Sequence, residues 1–169
     1  LNRQPYGFLV RGHSIYLVPQ EPMLFPNMTV LENILMGFSE NEGELKKRLN
    51  ECMKELNFDL NLQRKANTLS IAEQQLVELL RGMMRNARIL ILDEPTRGID
   101  IGTKTEIQKL VLKLADEGKS LIFISSEIEE MLRTCNRMAV LRDGQKVGEI
   151  DEQDMNQMNV MKAIAGGDK

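Results

Sequence analysis

The segment Arg88–Thr96 constrains the fold more than any other part of the sequence. It reads Arg-Ile-Leu-Ile-Leu-Asp-Glu-Pro-Thr, so four apolar residues of β-strand character end in two adjacent acids and a proline. A strand buried on both faces of a parallel sheet is apolar throughout, and its carboxyl end is where such sheets bind ligands. Asp93 and Glu94 therefore lie where a site is expected. A strand that simply ends in solvated acids is the alternative that this segment alone leaves open.

Beyond these acids, the hydrophobic pattern alternates between helix and strand, which indicates an α/β fold. Upstream, a buried strand over 14–18 ends just before the polar residue Gln20. Near the other end, Asp143-Gly144 separates two apolar runs and predicts a tight hairpin turn. The predicted downstream elements are a helix over 103–117, a strand over 120–125, a helix over 127–133, and strands over 137–141 and 146–150.

A helical segment over 27–87 separates the first strand from the Asp-Glu strand. Thr29 with Glu32, and Ser70 with Glu73, have the spacing of capping boxes, which mark the start of a helix. The positive end of the second helix dipole therefore lies at Ser70. The predicted helices begin after Thr29, span 42–56, and run from Ser70 to about Met84.

Composition excludes several classes of protein. The net charge is −3 and no basic cluster occurs, so a nucleic-acid surface is not expected. No apolar run approaches the ~20 residues that span a bilayer, so membrane association is expected only through a partner. Cys52 and Cys135 match no metal or redox spacing, which fits a reducing, cytoplasmic compartment. Met155, Met158 and Met161 have helical spacing and are predicted to fill a core.

Taken in order, these segments resemble the motifs of ATP-binding cassette (ABC) ATPases over nearly the whole chain. Leu17–Pro22 resembles the Q-loop, and Asp93–Asp100 resembles Walker B followed by the D-loop. The residues of these two motifs resemble those of bacterial sugar-type importers. Leu69–Met84 resembles the importers for autoinducer-2 and related sugars. The resemblance implies an α/β, P-loop NTPase core with an inserted helical subdomain. The implied regions are 1–26 with the Q-loop strand, 27–87 with the helical subdomain and signature, 88–150 with the α/β core, and 151–169 as a tail with a short helix.

The resemblance also implies roles for the polar residues at the strand ends. Asp93 would hold Mg²⁺ through its hydration shell, and Glu94, the catalytic residue, would orient or deprotonate the attacking water. Gln20 would complete the Mg²⁺ and water shell, while its loop contacts the membrane permease. ATP and Mg²⁺ are therefore the implied cofactors of the parent protein.

The ABC signature motif is altered in this chain. It reads Leu-Ser-Ile-Ala-Glu where the family usually has Leu-Ser-Gly-Gly-Gln. By resemblance, Ser70 and the backbone after it would face a nucleotide on a second cassette, because helix amino termini attract phosphate. Ile71 and Ala72 replace glycines that allow close backbone approach, and Glu73 adds negative charge, so a weakened signature is expected. The alternative is that Ser70 and Glu73 only cap a helix.

Different parts of the chain resemble different cassettes. Sugar importers of this type carry two cassettes in one polypeptide; residues up to Thr96 resemble the first, and 97–150 resemble the second. Asp100 would belong to the D-loop, which contacts the other cassette. Ser126 stands at the position of the switch histidine, and because serine does not titrate near pH 7, poor sensing of the γ-phosphate is expected.

The phosphate-binding P-loop pattern, Gly-x4-Gly-Lys-Ser/Thr, is absent from the sequence. Gly118-Lys119-Ser120 does not supply it, because a helix precedes it and a strand follows; a helix end and a turn are predicted there. By resemblance the P-loop lies upstream of the Q-loop, so the chain is expected to be a fragment without the P-loop strand. Strands 120–125 and 137–141 would then have unpaired edges, which predicts self-association, a rearranged sheet or closure of the gap.

Two functions follow from the sequence. The first is part of an ATPase subunit that powers import of a sugar or related solute, peripheral on the cytoplasmic face of the cell membrane. Its partners would be permease subunits, a second cassette and, indirectly, a solute-binding protein. The second is a non-catalytic, degenerate cassette half that serves as an interaction or structural module. The missing P-loop favours the second for this chain, which is expected to bind ATP weakly or not at all, whereas the acid pair favours the first for the parent protein.

Overall fold

The computed structural model describes residues 7–10, 13–56 and 59–166. The chain divides into two compact units, Leu1–Ile122 and Phe123–Lys169. The four-region division implied by the family resemblance stays a prediction.

A four-stranded sheet places the two predicted strand ends, before Gln20 and at Asp93, side by side. Its strands are β1 (Gly7–Val10), β2 (His13–Val18), β3 (Ile89–Asp93) and β4 (Ser120–Ile124), in that order. β2 runs parallel to β3 and antiparallel to β1, a short strand that the sequence pattern did not predict. β4 begins beside β3, where the Ser120 amide donates to the Arg88 carbonyl.

Three helices between β2 and β3 form the helical part of the first unit. They are α1 (Val30–Leu35), α2 (Glu42–Glu55) and α3 (Ile71–Met84). Both predicted capping boxes are confirmed, since each N-cap hydroxyl accepts from the backbone of a glutamate that reaches back to the cap. α1 and α2 pack against α3, and α3 also packs against β2.

The core of the first unit lies between β2, β3 and α3. Leu90 and Leu92 of β3 are fully buried, while the alternate residues are partly covered. Gly82 of α3 permits a close approach, because a Cβ atom there would lie 2.7 Å from Cδ1 of the buried Tyr16. The helix over 103–117 is confirmed as α4 (Ile101–Asp116). It is followed by Gly118, and the Lys119 ammonium donates to the Ala87 carbonyl, so this segment is a helix end as predicted.

The second unit contains a hairpin covered by short helices. Its elements are α5 (Ile128–Thr134), β5 (Arg137–Arg142), β6 (Gln145–Asp151) and α6 (Gln157–Ala165). Asp143 and Gly144 both have positive φ, 51° and 74°, as a two-residue type I′ turn requires, so the hairpin prediction is confirmed. The buried core consists of Met138, Val140, Ile150 and Val160.

The predicted burial of the C-terminal methionines is only partly correct. Met155 packs against the core of the second unit, but Met158 and Met161 are 64% and 53% exposed. In α6, Val160 and Ala163 face the core of the second unit instead, so Met158 and Met161 lie on the exposed side of the helix. Helical spacing alone could not show which side of α6 would meet the hairpin.

In the described part of the chain, β4 and β5 each lie at the outer edge of a sheet. β4 is the last strand in the order of the four-stranded sheet, and β5 is paired with β6 in a two-stranded sheet. Ile122 of β4 is half exposed. The predicted self-association through such edges stays a prediction.

Candidate active site

Gln20, Asp93 and Glu94 lie at the same end of the four-stranded sheet, where the parallel strands β2 and β3 have their carboxyl ends. Val18 stands opposite Leu92 in the parallel register of β2 and β3. Gln20 and Glu94 are therefore each two residues beyond that matched pair, and Asp93 is the last residue of its strand. Gln20 is exposed, whereas both acids are half-buried. The structure thus brings together three of the residues singled out from the sequence.

Glu94 has an unusual backbone conformation. Its φ is +45°, in the left-handed region, and its carbonyl accepts a hydrogen bond from the Arg97 amide in the turn that follows. A residue with a Cβ atom is strained there by about 1–2 kcal/mol. Pro95 and Thr96 are buried directly after it and hold the turn in place. Strain of this kind is concentrated at functional sites, where it fixes the direction of a side chain.

Side chains of α3 bind the backbone of the loop that carries Gln20. The Gln75 side-chain amide of α3 donates to the carbonyl oxygens of Pro19 and Gln20, at 3.1 Å and 2.9 Å. Three residues further on, the Met23 amide donates to Oε1 of Glu78 at 3.0 Å. The Gln20 side chain therefore extends from a fixed backbone toward solvent.

The signature-like residues form the first turn of α3. The Ser70 hydroxyl accepts from the Glu73 amide at 3.2 Å, and the Glu73 carboxylate accepts from the Ser70 amide at 2.7 Å. Ser70 and Ile71 are exposed, while Ala72 and Glu73 are half-buried. Because the hydroxyl hydrogen of Ser70 is not used in this cap, it can still be donated to an anion.

Arg64 neutralises the negative charge that the sequence places in the signature. Its guanidinium donates to Glu73 at 2.5 Å, and it also donates to the Thr68 carbonyl. Partial burial works to raise the pKa of Glu73, but hydrogen bonds from Ser70 and Arg64 outweigh it and lower that pKa below its ordinary value. The expected repulsion between Glu73 and a phosphate is therefore opposed by an adjacent cation.

Asp100 begins α4 and is exposed. Its carboxylate accepts from the Thr103 hydroxyl at 2.7 Å and from the Thr103 amide at 3.1 Å. These hydrogen bonds, the hydroxyl first, lower the pKa of Asp100. The side chain is thus an ionised helix cap at neutral pH.

Ser126 lies in the second unit and is exposed just after β4. Its neighbour Ser125 donates to Glu130 at 2.9 Å and accepts from the Glu127 amide at 3.0 Å. The turn into α5 is therefore fixed by Ser125, and the role predicted for Ser126 stays a prediction.

The donor set at the sheet edge fits Mg²⁺ carried with a nucleotide. Mg²⁺ is usually bound by one or two carboxylates, with water and phosphate oxygens completing an octahedron. Asp93 and Gln20 offer a carboxylate and an amide oxygen of this kind. Among the described residues, no group of three or more His, Cys, Asp or Glu side chains could hold a metal ion by itself. The sequence offers no P-loop pattern to hold the phosphates.

Comparison with known proteins decides the family. Residues 9–97, more than half of the chain, match the ABC transporter family. The chain belongs to the ABC transporter family. This match spans the β2 end, the whole of α3 and the Asp-Glu pair, which are three of the parts on which the resemblance was based.

The similar curated proteins are import ATP-binding proteins. The autoinducer 2 import ATP-binding protein LsrA of Enterobacter sp. (strain 638) is 45% identical over 145 residues, which cover 83% of this chain and 29% of the relative. The ribose import ATP-binding protein RbsA 2 of Escherichia coli O157:H7 is 36% identical over 170 residues, 97% of this chain and 33% of the relative. The chain therefore spans about a third of the length of these relatives or less.

Solved ABC cassettes have the same fold. The ATP-binding cassette MJ0796, in a dimeric post-hydrolysis state bound to ADP and Pi, matches with a TM-score of 0.71 at 29% identity over 82% of this chain and 62% of that one. The ADP conformation of the cassette MJ1267 matches with a TM-score of 0.74 at 25% identity, over 90% and 68%. The predicted α/β cassette fold is confirmed. No helix in the described ranges is long and apolar enough to cross a membrane.

Sequence reasoning missed the residues that support the site. Gln75, Glu78 and Arg81 of α3 are buried and contact the Gln20 loop, and Arg64 neutralises Glu73. A signal was present, since polar residues three positions apart lie on one side of a helix whose other residues are mostly apolar. The loop atoms that Gln75, Glu78 and Arg81 contact are 55 to 58 positions away, which no local pattern reveals.

Proposed function

We propose that this chain is part of the ATP-hydrolysing subunit of an importer for a sugar or a related small solute. The observation that carries the proposal is the carboxylate pair at the end of β3, beside Gln20, in a chain 45% identical to an import ATP-binding protein. The names of the similar relatives, which import autoinducer 2, ribose or arabinose, support a sugar-like solute. They give no support to a non-catalytic module.

In this proposal Glu94 is the general base. Its carboxylate would take the proton from the water that attacks the terminal phosphate, and its strained turn would keep it aimed at that water. Asp93 and Gln20 would hold Mg²⁺ and order the water beside it. Bound Mg²⁺ with ATP supplies the phosphoryl group that is transferred.

Partners and location are part of the same proposal. Ser70 to Glu73 and Asp100 would face a second cassette, so that each nucleotide lies between two cassettes. One similar solved cassette is described as dimeric, which supports this arrangement. The loop after Gln20 would contact permease subunits, and the protein would lie at the cytoplasmic face of the membrane. A solute-binding protein would act through the permease.

A chimera tests the proposed activity. This chain would replace its aligned segment in the Enterobacter LsrA relative, which retains all other parts of that protein. Hydrolysis of ATP would be compared with a baseline, namely the relative without the exchanged segment, in which the residue aligned with Glu94 is changed to Gln. We expect Mg²⁺-dependent hydrolysis clearly above this baseline. A folded chimera that hydrolyses ATP only at the baseline would contradict the proposed function.

A further inference from the structure

The proposed function gives no chemical role to the buried polar cluster on α3 that contacts the Gln20 loop. Gln75, Glu78 and Arg81 are 1%, 2% and 4% exposed, and they follow each other at three-residue spacing. Arg81 donates to Glu78 at 2.9 Å, so the cluster contains a buried ion pair. A buried ion pair is a poor source of stability, because removing two charges from water costs about as much as their attraction returns. The cluster therefore calls for another explanation.

The cluster holds the main chain of the Gln20 loop. Gln75 donates to the carbonyl oxygens of Pro19 and Gln20, Glu78 accepts from the Met23 amide, and Arg81 donates to the Met23 carbonyl at 3.3 Å. All four hydrogen bonds go to backbone atoms. They consequently fix the course of the loop without using its side chains, so the Gln20 side chain remains available for a ligand.

The same cluster is joined to the strand before the loop and to the helix that begins at Ser70. The Tyr16 hydroxyl of β2 donates to Oε2 of Glu78 at 2.8 Å. Gln75 lies five residues after Ser70, which is roughly 7–8 Å along the axis of an α-helix. Gln75, which binds the Gln20 carbonyl, therefore lies in the same helix that Ser70 caps, and this helix connects the backbone of Gln20 with Ser70.

We propose that Gln75, Glu78 and Arg81 are positioning residues that make the Gln20 loop and the start of α3 move as one body. The inference rests on the proposed function, in which Gln20 and Ser70 contact nucleotides. Gln20 would serve the nucleotide of its own cassette, and Ser70 would face the nucleotide of the second one. A displacement of the loop would therefore be transmitted through α3 to Ser70.

Amide hydrogen exchange on the full chain tests the mechanical part of the inference. Gln75→Met removes both hydrogen bonds to the loop but keeps an unbranched side chain of similar length. Gln74→Met is the matched control, since Gln74 is the next residue of α3 and donates to the Leu69 carbonyl instead. We expect exchange in the segment 20–25 to be about tenfold faster in Gln75→Met, with exchange in β3 unchanged. Gln74→Met should leave both segments unchanged.

Two outcomes of this experiment would overturn the inference. One is unchanged exchange over 20–25 in Gln75→Met. The other is equal acceleration in β3, which would indicate global destabilisation. Should Gln75→Met not fold, Glu78→Gln gives a second test, because it keeps the shape but removes the charge that faces Arg81. Faster exchange at the Met23 amide supports the inference, and unchanged exchange there contradicts it.

The kinetic consequence is measured in the LsrA chimera. A positioning residue should affect the chemical step more than ATP binding. We expect Gln75→Met to lower kcat above the baseline about tenfold with little change in KM for ATP, while Gln74→Met changes neither. A folded chimera whose turnover does not exceed the baseline refutes the proposed function and leaves the exchange result standing. An active chimera in which Gln75→Met retains full kcat refutes the positioning role alone.

Discussion

The hydroxyl of Tyr16 and the Oε2 atom of Glu78 lie 2.8 Å apart in a buried hydrogen bond between residues 62 positions apart in sequence. Burial and the Glu78 carboxylate raise the pKa of Tyr16 well above its usual range, so the phenol remains protonated and is the donor. The bond connects β2 with the middle of α3. It therefore links the strand that leads into the Gln20 loop to the helix that begins at the signature-like turn.

Tyr16→Phe should destabilise the first unit. The ring would still fill its buried position, but the Glu78 carboxylate would lose one of its donors, and a hydrogen bond to a charged group contributes about 1.5–3 kcal/mol. We expect the free energy of unfolding to fall by that amount in urea titrations followed by far-UV circular dichroism. An unchanged free energy of unfolding would show that the hydrogen bond does not contribute to stability.

Gly82→Ala should also destabilise the protein, although alanine favours helices. The new Cβ atom would lie 2.7 Å from Cδ1 of Tyr16 and 3.0 Å from Cδ2 of Leu90, and both side chains are buried. Overpacking of this kind costs about 1–3 kcal/mol, which exceeds the gain in helix propensity of at most ~1 kcal/mol. The same urea titration checks the prediction. Equal or greater stability of the variant would mean that Tyr16 can shift its ring.

The strained backbone at Glu94 can be measured by comparing two truncations. Glu94→Gly and Glu94→Ala both remove the carboxylate and its interactions, but only glycine adopts a φ of +45° without a steric cost. We expect the glycine variant to be more stable than the alanine variant by about 1 kcal/mol. If alanine is the more stable of the two, the left-handed conformation is not a source of strain.

Glu73 should make the stability of the protein depend on acid pH. Hydrogen bonds from Ser70 and Arg64 lower its folded-state pKa below the ordinary 4.5, despite partial burial, which acts in the opposite direction. Its contribution is therefore fully present above about pH 4.5 and is lost as the pH falls through the lower folded-state value. Glu73→Gln should remove this contribution, so the difference in unfolding free energy between wild type and variant should shrink on acidification. Parallel pH profiles of the two proteins would contradict this prediction.

The local elements could be predicted because their signals are local. The capping boxes at Thr29 and Ser70 depend on residues three positions apart, the hairpin turn depends on the adjacent pair Asp143-Gly144, and each forms as expected. The apolar run before Asp93 similarly indicated a strand within a parallel sheet. These features were sufficient to place the two acids at a sheet edge.

The supporting residues could not be predicted because their partners are distant in sequence. Glu78 receives hydrogen bonds from Tyr16 and Met23, and Arg64 neutralises Glu73, which is nine positions further along the chain. The prediction that Met158 and Met161 are buried failed for a related reason. They have the spacing of core residues, but the hairpin contacts a different side of α6. Tertiary packing, which a single sequence does not display, decides all three cases.

The central claim is that Glu94 is the base of an ATP-hydrolysing site. The most direct measurement is the rate of ATP hydrolysis by the LsrA chimera carrying Glu94→Gln, compared with the chimera that retains Glu94 and with the same baseline. Glutamine keeps the size of the side chain but cannot accept a proton, and loss of a general base costs about 100-fold or more in rate. The account predicts unchanged ATP binding and hydrolysis reduced to the baseline. Hydrolysis by the Glu94→Gln chimera at the rate of the unaltered chimera would contradict it.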